Sequence, residues 1–121
     1  MSYLLDVSAL LALLWENHIH HERVQLWEAN REIAVCPITE LGFLRISTQA
    51  FGASMRDARA SLSKWLAFRN PRFVSCDSRA LSGLEAPDGG RTTDFYLAIL
   101  ANVHGLHSPL WTNGSIIQRH L

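Results

Sequence analysis

The stretch Tyr3-Leu4-Leu5-Asp6-Val7-Ser8-Ala9-Leu10-Leu11-Ala12-Leu13-Leu14 decides the fold class. A short apolar run, Tyr3 to Leu5, is followed by Asp6 and Ser8, both residues that cap a helix N-terminus, and then by Leu10, Leu11, Leu13 and Leu14. This reads as a strand that turns directly into a helix. The same punctuation recurs downstream. Ile33-Ala34-Val35-Cys36 is a second short apolar run, and Pro37 suits the first turn of a helix carrying Glu40, Leu41, Leu44 and Arg45. Phe73-Val74-Ser75-Cys76, after Asn70-Pro71, reads as a third strand, and Ser108 to Thr112, with Pro109 near its start, as a last one.

Helices fill the intervals. His20 to Asn30 puts Val24 and Trp27 on one face and leaves His21, Glu28 and Arg31 for solvent. Ala58, Leu62, Trp65 and Leu66 recur at helical spacing among Arg56, Asp57, Arg59 and Lys64. Ser82 to Gly90 has the composition of a loop. Thr92 and Thr93 cap a helix from Asp94 to about His104, closed by Gly105. Strands separated by helices imply a parallel sheet covered on both faces.

Composition sets the outer limits. The 121 residues suit one domain, and 48% hydrophobic against 18% charged residues places the chain among those that fold. The longest apolar stretch, Val7 to Trp15, is about half the roughly 20 residues a membrane helix needs, and it lacks the flanks of a signal peptide. A soluble cytoplasmic protein is expected. The two cysteines, Cys36 and Cys76, fall in runs read as buried strands, which predicts free, reduced thiols. Eleven basic and eleven acidic residues cancel, so nucleic-acid binding must be local or supplied by a metal and a partner.

In an open parallel sheet, ligands bind beyond the carboxyl ends of the strands. Asp6 directly follows the first strand, Glu40 lies one turn into the helix after the second, Asp94 opens the helix before the last strand, and Asn113 follows that strand. Each acid taken singly is a good helix cap, a role that contributes about 0.3 to 1 kcal/mol. Several carboxylates brought into one partly buried crevice repel one another unless a cation offsets them. Oxygen ligands select a hard ion, Mg2+ or Mn2+, and with it phosphodiester hydrolysis.

The blocks Leu4-Leu5-Asp6-Val7-Ser8-Ala9-Leu10-Leu11-Ala12-Leu13-Leu14, Thr39-Glu40-Leu41-Gly42-Phe43-Leu44-Arg45 and Thr93-Asp94-Phe95-Tyr96-Leu97-Ala98 resemble those of PIN-domain ribonucleases, especially VapC-type toxins. The resemblance runs the length of the chain in order and spacing. It implies one PIN-like domain over residues 1–121, a three-layer α/β/α arrangement around a central parallel sheet of four to five strands. It also implies a metal-dependent endoribonuclease, dimeric and neutralised by an antitoxin protein. By that match Asp6, Glu40 and Asp94 are the catalytic acids, Asp6, Asp94 and Asn113 the metal ligands, and Ser8 and Thr112 polar supports.

Asn113 stands where the family commonly has an acid. An amide oxygen can ligate a metal but brings no charge, which keeps a second function open, a catalytically impaired PIN-like module that binds RNA or protein. Asp77 and Asp88 could compensate, though both lie in turn-like contexts. Arg45 and Arg91, close in sequence to two of the acids, suit RNA phosphates or pairing with those acids about equally. His18, His20 and His21 form a tight cluster open to a transition metal, but a helix that sets two ligands on one face wants a spacing of three or four, so they read as surface or capping residues. Trp15 and Trp27 suit the core or a partner groove. Other doubly wound families fit less well. Asp6-Val7-Ser8 is not Asp-x-Asp, the sole lysine, Lys64, falls on a helix, and no Gly-rich phosphate loop or Gly-x-Ser-x-Gly elbow is present.

Overall fold

Leucine and alanine between Val7 and Leu14 leave the first helix apolar almost all round, and it is accordingly sunk into the core, with every residue from Ala9 to Leu13 buried. In the computed structural model, which describes residues 2–79, 89, 92–112 and 115–119, with backbone alone from 108 on, this is α1 (Val7–Leu14), fed by strand β1 (Ser2–Leu4). Helix α2 (His21–Glu28) returns the chain to β2 (Glu32–Val35), which pairs parallel with β1 in the register Tyr3 to Ile33 and Leu4 to Ala34. Helices α3 (Pro37–Gln49) and α4 (Met55–Arg69) then lead to β3 (Arg72–Phe73), parallel to β2. Parallel neighbours require such crossovers, and the sheet order is β1-β2-β3.

The helix boundaries follow local chemistry. Pro37 occupies the first turn of α3, where its missing N–H costs nothing. Ser54 caps α4 through its hydroxyl, which accepts from the Asp57 N–H at 3.0 Å, and Asn70 ends it in the left-handed region at φ 48°. Helix α5 (Thr92–Val103) is followed by Gly105 at φ 70°. No helix among the described residues is long and apolar enough to cross a membrane.

Side chains alternate along the strands between two apolar clusters. Tyr3, Leu5, Ile33 and Val35 pack with α1 and with Val24, Phe43, Ala58 and Leu62. Leu4, Ala34, Cys36 and Val74 pack instead with Leu97, Leu100 and Ala101 of α5. Both faces of the sheet therefore carry core.

Among the described residues the parallel sheet has three strands where four to five were expected. The fourth position is begun and abandoned. His107 bridges Tyr3 in parallel, donating its N–H to the Ser2 carbonyl at 2.9 Å and accepting from the Leu4 N–H at 2.8 Å. The next rung of that ladder would be donated by residue 109, which is proline and has no N–H. Strand β4 (Ser108–Thr112) pairs antiparallel with β5 (Ser115–Arg119), a strand the sequence reading missed. The third strand is also shorter than Phe73–Cys76; its pairing ends where the Val74 N–H donates to the Val35 carbonyl at 2.9 Å. The loop read from Ser82 to Gly90 lies outside the described residues apart from Gly89.

Two expected surface positions are corrected. Glu28 is buried, because Arg69 at the end of α4 forms an ion pair with its carboxylate through Nε and reaches its backbone carbonyl as well. Arg31 lies over the rings of Trp27 and Tyr3, at 5.0 and 5.9 Å from their centroids. In the other direction, Cys76 is exposed while Cys36 is buried, since the chain has already left the ladder at Val74.

Candidate metal centre

The turn from β1 into α1 places Asp6 at the carboxyl end of the sheet, with only 3% of its surface exposed. Its Oδ1 accepts the Ala9 N–H at 2.7 Å, so the capping reading is correct as far as it goes. A cap alone keeps a carboxylate ionised, yet here the group is pushed up to about 7. Burial is the largest cause; the Ala9 N–H opposes it, and the negative charge of Asp94 adds to it. Asp94 is half-buried in the first turn of α5. Two acids far apart in sequence therefore meet electrostatically at this edge.

Glu40 is half-buried in the first turn of α3, and burial raises its carboxyl above the usual range. Among the described residues, no group of three or more His, Cys, Asp or Glu is placed to hold an ion. The structure thus couples Asp6 with Asp94 and sets Glu40 on the adjoining helix without drawing it into a trio. Arg45 is exposed one turn and a half beyond Glu40. Thr112 ends β4, with only its backbone described; Arg91, Asn113 and Asp88 lie outside the described residues. Asp77 is engaged elsewhere, paired with His104 Nε2 at 3.0 Å, which holds its carboxyl below the usual range.

Ser8 is exposed on α1 and lines a cavity of about 750 Å³ together with Trp15, His18 and Phe51; none of the three acids is among its described lining residues. The Trp15 ring stacks on Phe43 at 5.7 Å and its Nε1–H donates to Ser47 Oγ at 2.9 Å, so Trp15 belongs partly to the core. Two of the histidines at or beside this cavity use Nδ1 within the chain. His18 Nδ1 accepts the His20 N–H at 3.1 Å, and His21 Nδ1 bonds the Ala12 carbonyl at 2.9 Å.

Two residues beside the acids in the chain were not singled out from sequence. Thr39 Oγ1, fully buried, donates to the Leu5 carbonyl at 2.7 Å and contacts Cys36 Sγ at 3.6 Å. Gly42 lets α3 approach α1, since a Cβ there would meet Val7 Cγ2 at 2.4 Å. The sequence signal for both was their place in the block Thr39 to Arg45.

No protein-family model matches the chain. It is similar to several ribonucleases of Mycobacterium tuberculosis. Identity is 38% over 113 residues with Ribonuclease VapC38, covering 85% of this chain and 79% of the relative. With Ribonuclease VapC44 it is 35% over 115 residues, covering 86% and 81%. With Ribonuclease VapC29 it is 32% over 109 residues, covering 86% and 80%. Relatives this similar over most of both chains, together with acids at the ends of a parallel α/β sheet, establish that the chain belongs to the VapC family of PIN-domain proteins.

Proposed function

We propose that the chain is a metal-dependent endoribonuclease that hydrolyses RNA phosphodiester bonds as the toxin of a type II toxin-antitoxin pair. The observation that carries this reading is the Asp6 carboxyl, buried, pushed up to about 7 and repelled by Asp94. That arrangement is unfavourable for the protein by itself and becomes favourable once a cation sits against both oxygen donors. The donor set is all oxygen, which fits Mg2+ or Mn2+. Asp6, Asp94 and Asn113 would hold the ion, which supplies positive charge to the phosphoryl oxygens and acidifies water for attack.

The remaining steps belong to the chain's own side chains. Glu40, half-buried and with its carboxyl raised by desolvation, would take a proton from the attacking water. Arg45 and Arg91 would hold RNA phosphates, and Ser8 and Thr112 would orient the site. A cognate antitoxin, a homodimer and a cytoplasmic location complete the proposal; similarity to Ribonuclease VapC38 and Ribonuclease VapC44 supports its ribonuclease part. The test is cleavage of RNA by purified Asp6→Ala and Asp94→Ala variants, and growth on their expression. Loss of both effects is expected; cleavage retained by both variants would defeat the reading.

The second reading, a catalytically impaired module, is favoured by the absence of a three-acid group among the described residues. Calorimetric titration with Mn2+ separates the two. Heat that disappears in Asp6→Ala, accompanied by cleavage, supports the enzyme; no heat and no cleavage supports the module.

A further inference from the structure

We infer that the cavity beside α1 seats one unpaired base of the RNA, flanking the phosphate that is cut; this rests on the nuclease reading and assigns a substrate contact to it. At about 750 Å³ the cavity has the size of a small-ligand site. It follows one face of α1 from Ser8, two residues past Asp6, through Ala12 to the cap residue Trp15, a run of about 10 Å along the axis. A strand whose phosphate lies at the acids therefore has a flanking base within reach of it.

Small side chains make the space and rings wall it. Ala12 and Ala53 leave room between Trp15, His18 and Phe51. Trp15 is held from behind, with its ring stacked on Phe43 and its Nε1–H donated to Ser47 Oγ, so this wall is ordered before anything binds. The His18 and Phe51 rings stand 6.1 Å apart, tilted by 51°. Aromatic walls of this kind hold unpaired bases, because every base has a π-face.

Charge and hydrogen-bonding capacity narrow the occupant. No Asp, Glu, Lys or Arg is among the described lining residues, so the cavity has no such partner for a phosphate or for a charged peptide side chain. It does carry a directional donor. His18 Nδ1 accepts the His20 N–H at 3.1 Å, which in the neutral ring puts the proton on Nε2. Burial, together with His20 and His21, favours that neutral form. A flat, uncharged ring with acceptors along its edge matches aromatic walls and one fixed donor better than the aliphatic face of a partner helix does.

The experiment measures binding by full-length protein in EDTA, by fluorescence anisotropy, and does not depend on cleavage. The probes are labelled single-stranded octamers of adenosine, cytidine or uridine and an octamer of abasic ribose phosphates. Wild type should bind at least one base-bearing octamer about 10-fold more tightly than the abasic one. Phe51→Ala opens a wall and Ala53→Trp fills the space; both should erase most of that margin, and the loss should fall on the base-bearing RNAs alone. His18→Phe keeps a ring without the donor, so it should keep the margin and narrow the spread among the three bases; an unchanged spread overturns the role of the donor. The pocket is overturned if wild type shows no binding or no margin, or if abasic binding falls equally in the variants. A margin retained by both Phe51→Ala and Ala53→Trp overturns it too and leaves a protein segment as the occupant. Cleavage in Mn2+ without a base margin would sink the pocket and spare the nuclease reading, and a margin without cleavage would do the reverse.

Discussion

Thr39 Oγ1 donates to the Leu5 carbonyl 2.7 Å away, fastening the first turn of α3 to the residue immediately before Asp6. Both groups are buried, so removing the hydroxyl leaves the carbonyl without that partner, at a cost of about 1 to 3 kcal/mol. Thr39→Val, nearly equal in volume, should lower the urea midpoint by that amount, while Thr39→Ser should retain most of the stability. If the hydrogen bond also sets the position of Asp6, Mn2+ affinity should fall about 10-fold in Thr39→Val, read by calorimetry. Wild-type stability in Thr39→Val would show that the bond contributes nothing.

The raised Asp6 carboxyl makes metal-free protein more stable in mild acid than at neutrality. The unfolded chain releases this proton near the ordinary value of 3.8, whereas the folded chain keeps it until about 7. Between those values the folded state binds more protons, so stability falls as pH rises through the window. The full separation corresponds to an upper bound of about 4 kcal/mol. Thermal melts in chelator should show a higher midpoint at pH 5.5 than at pH 7.5, and Asp6→Asn should flatten that difference. Mg2+ should raise the midpoint more at pH 7.5 than at pH 5.5, because the ion competes with the proton for the same carboxylate.

Asp94→Asn separates the two causes of the Asp6 shift. Removing the neighbouring negative charge should bring the Asp6 carboxyl below 7 in metal-free protein. It should stay above the ordinary carboxylate value, because burial is the larger cause and is unchanged. Carboxyl carbon NMR titration of wild type and variant measures this directly. A fall all the way to an ordinary value would mean that charge, not burial, governs the site.

What the sequence disclosed was local or periodic. Asp6 as a cap, Pro37 at a first turn, Gly105 past a helix end and the Ala58, Leu62 stripe are short-range rules, and the folded chain obeys them. What it concealed depends on partners distant in sequence. Glu28 looks like a surface residue until Arg69, 41 positions away, covers it. Cys76 sits in an apolar run, but the run outlasts its β2 partner, so the thiol emerges from the sheet. Pro109 was noticed as a strand-start residue, while its effect on a parallel ladder required knowing that His107 would lie beside Tyr3. For the site, the sequence pointed to Asp6, Glu40 and Asp94 one at a time; only the fold shows that the Asp94 charge reaches the buried Asp6.

Gly42 offers the last prediction, because it concerns how closely the helix bearing Glu40 can lie against the helix capped by Asp6. A methyl group there would stand 2.4 Å from Val7 Cγ2, 3.1 Å from Cγ1 and 3.3 Å from Cβ. Valine is branched at Cβ and stiff about χ1, so it has no long arm to swing aside, and the helices themselves must separate. Overpacking of this kind costs about 1 to 3 kcal/mol. The gain in helix propensity, about 1 kcal/mol for alanine over glycine, offsets only part of it. Gly42→Ala should therefore be less stable than wild type in urea unfolding. Val7→Ala in the same chain removes the obstructing methyls, so the double variant should be more stable than the sum of the two single effects. Strict additivity would mean that the two residues do not press on one another, and the close approach of α1 to α3 would then need another cause.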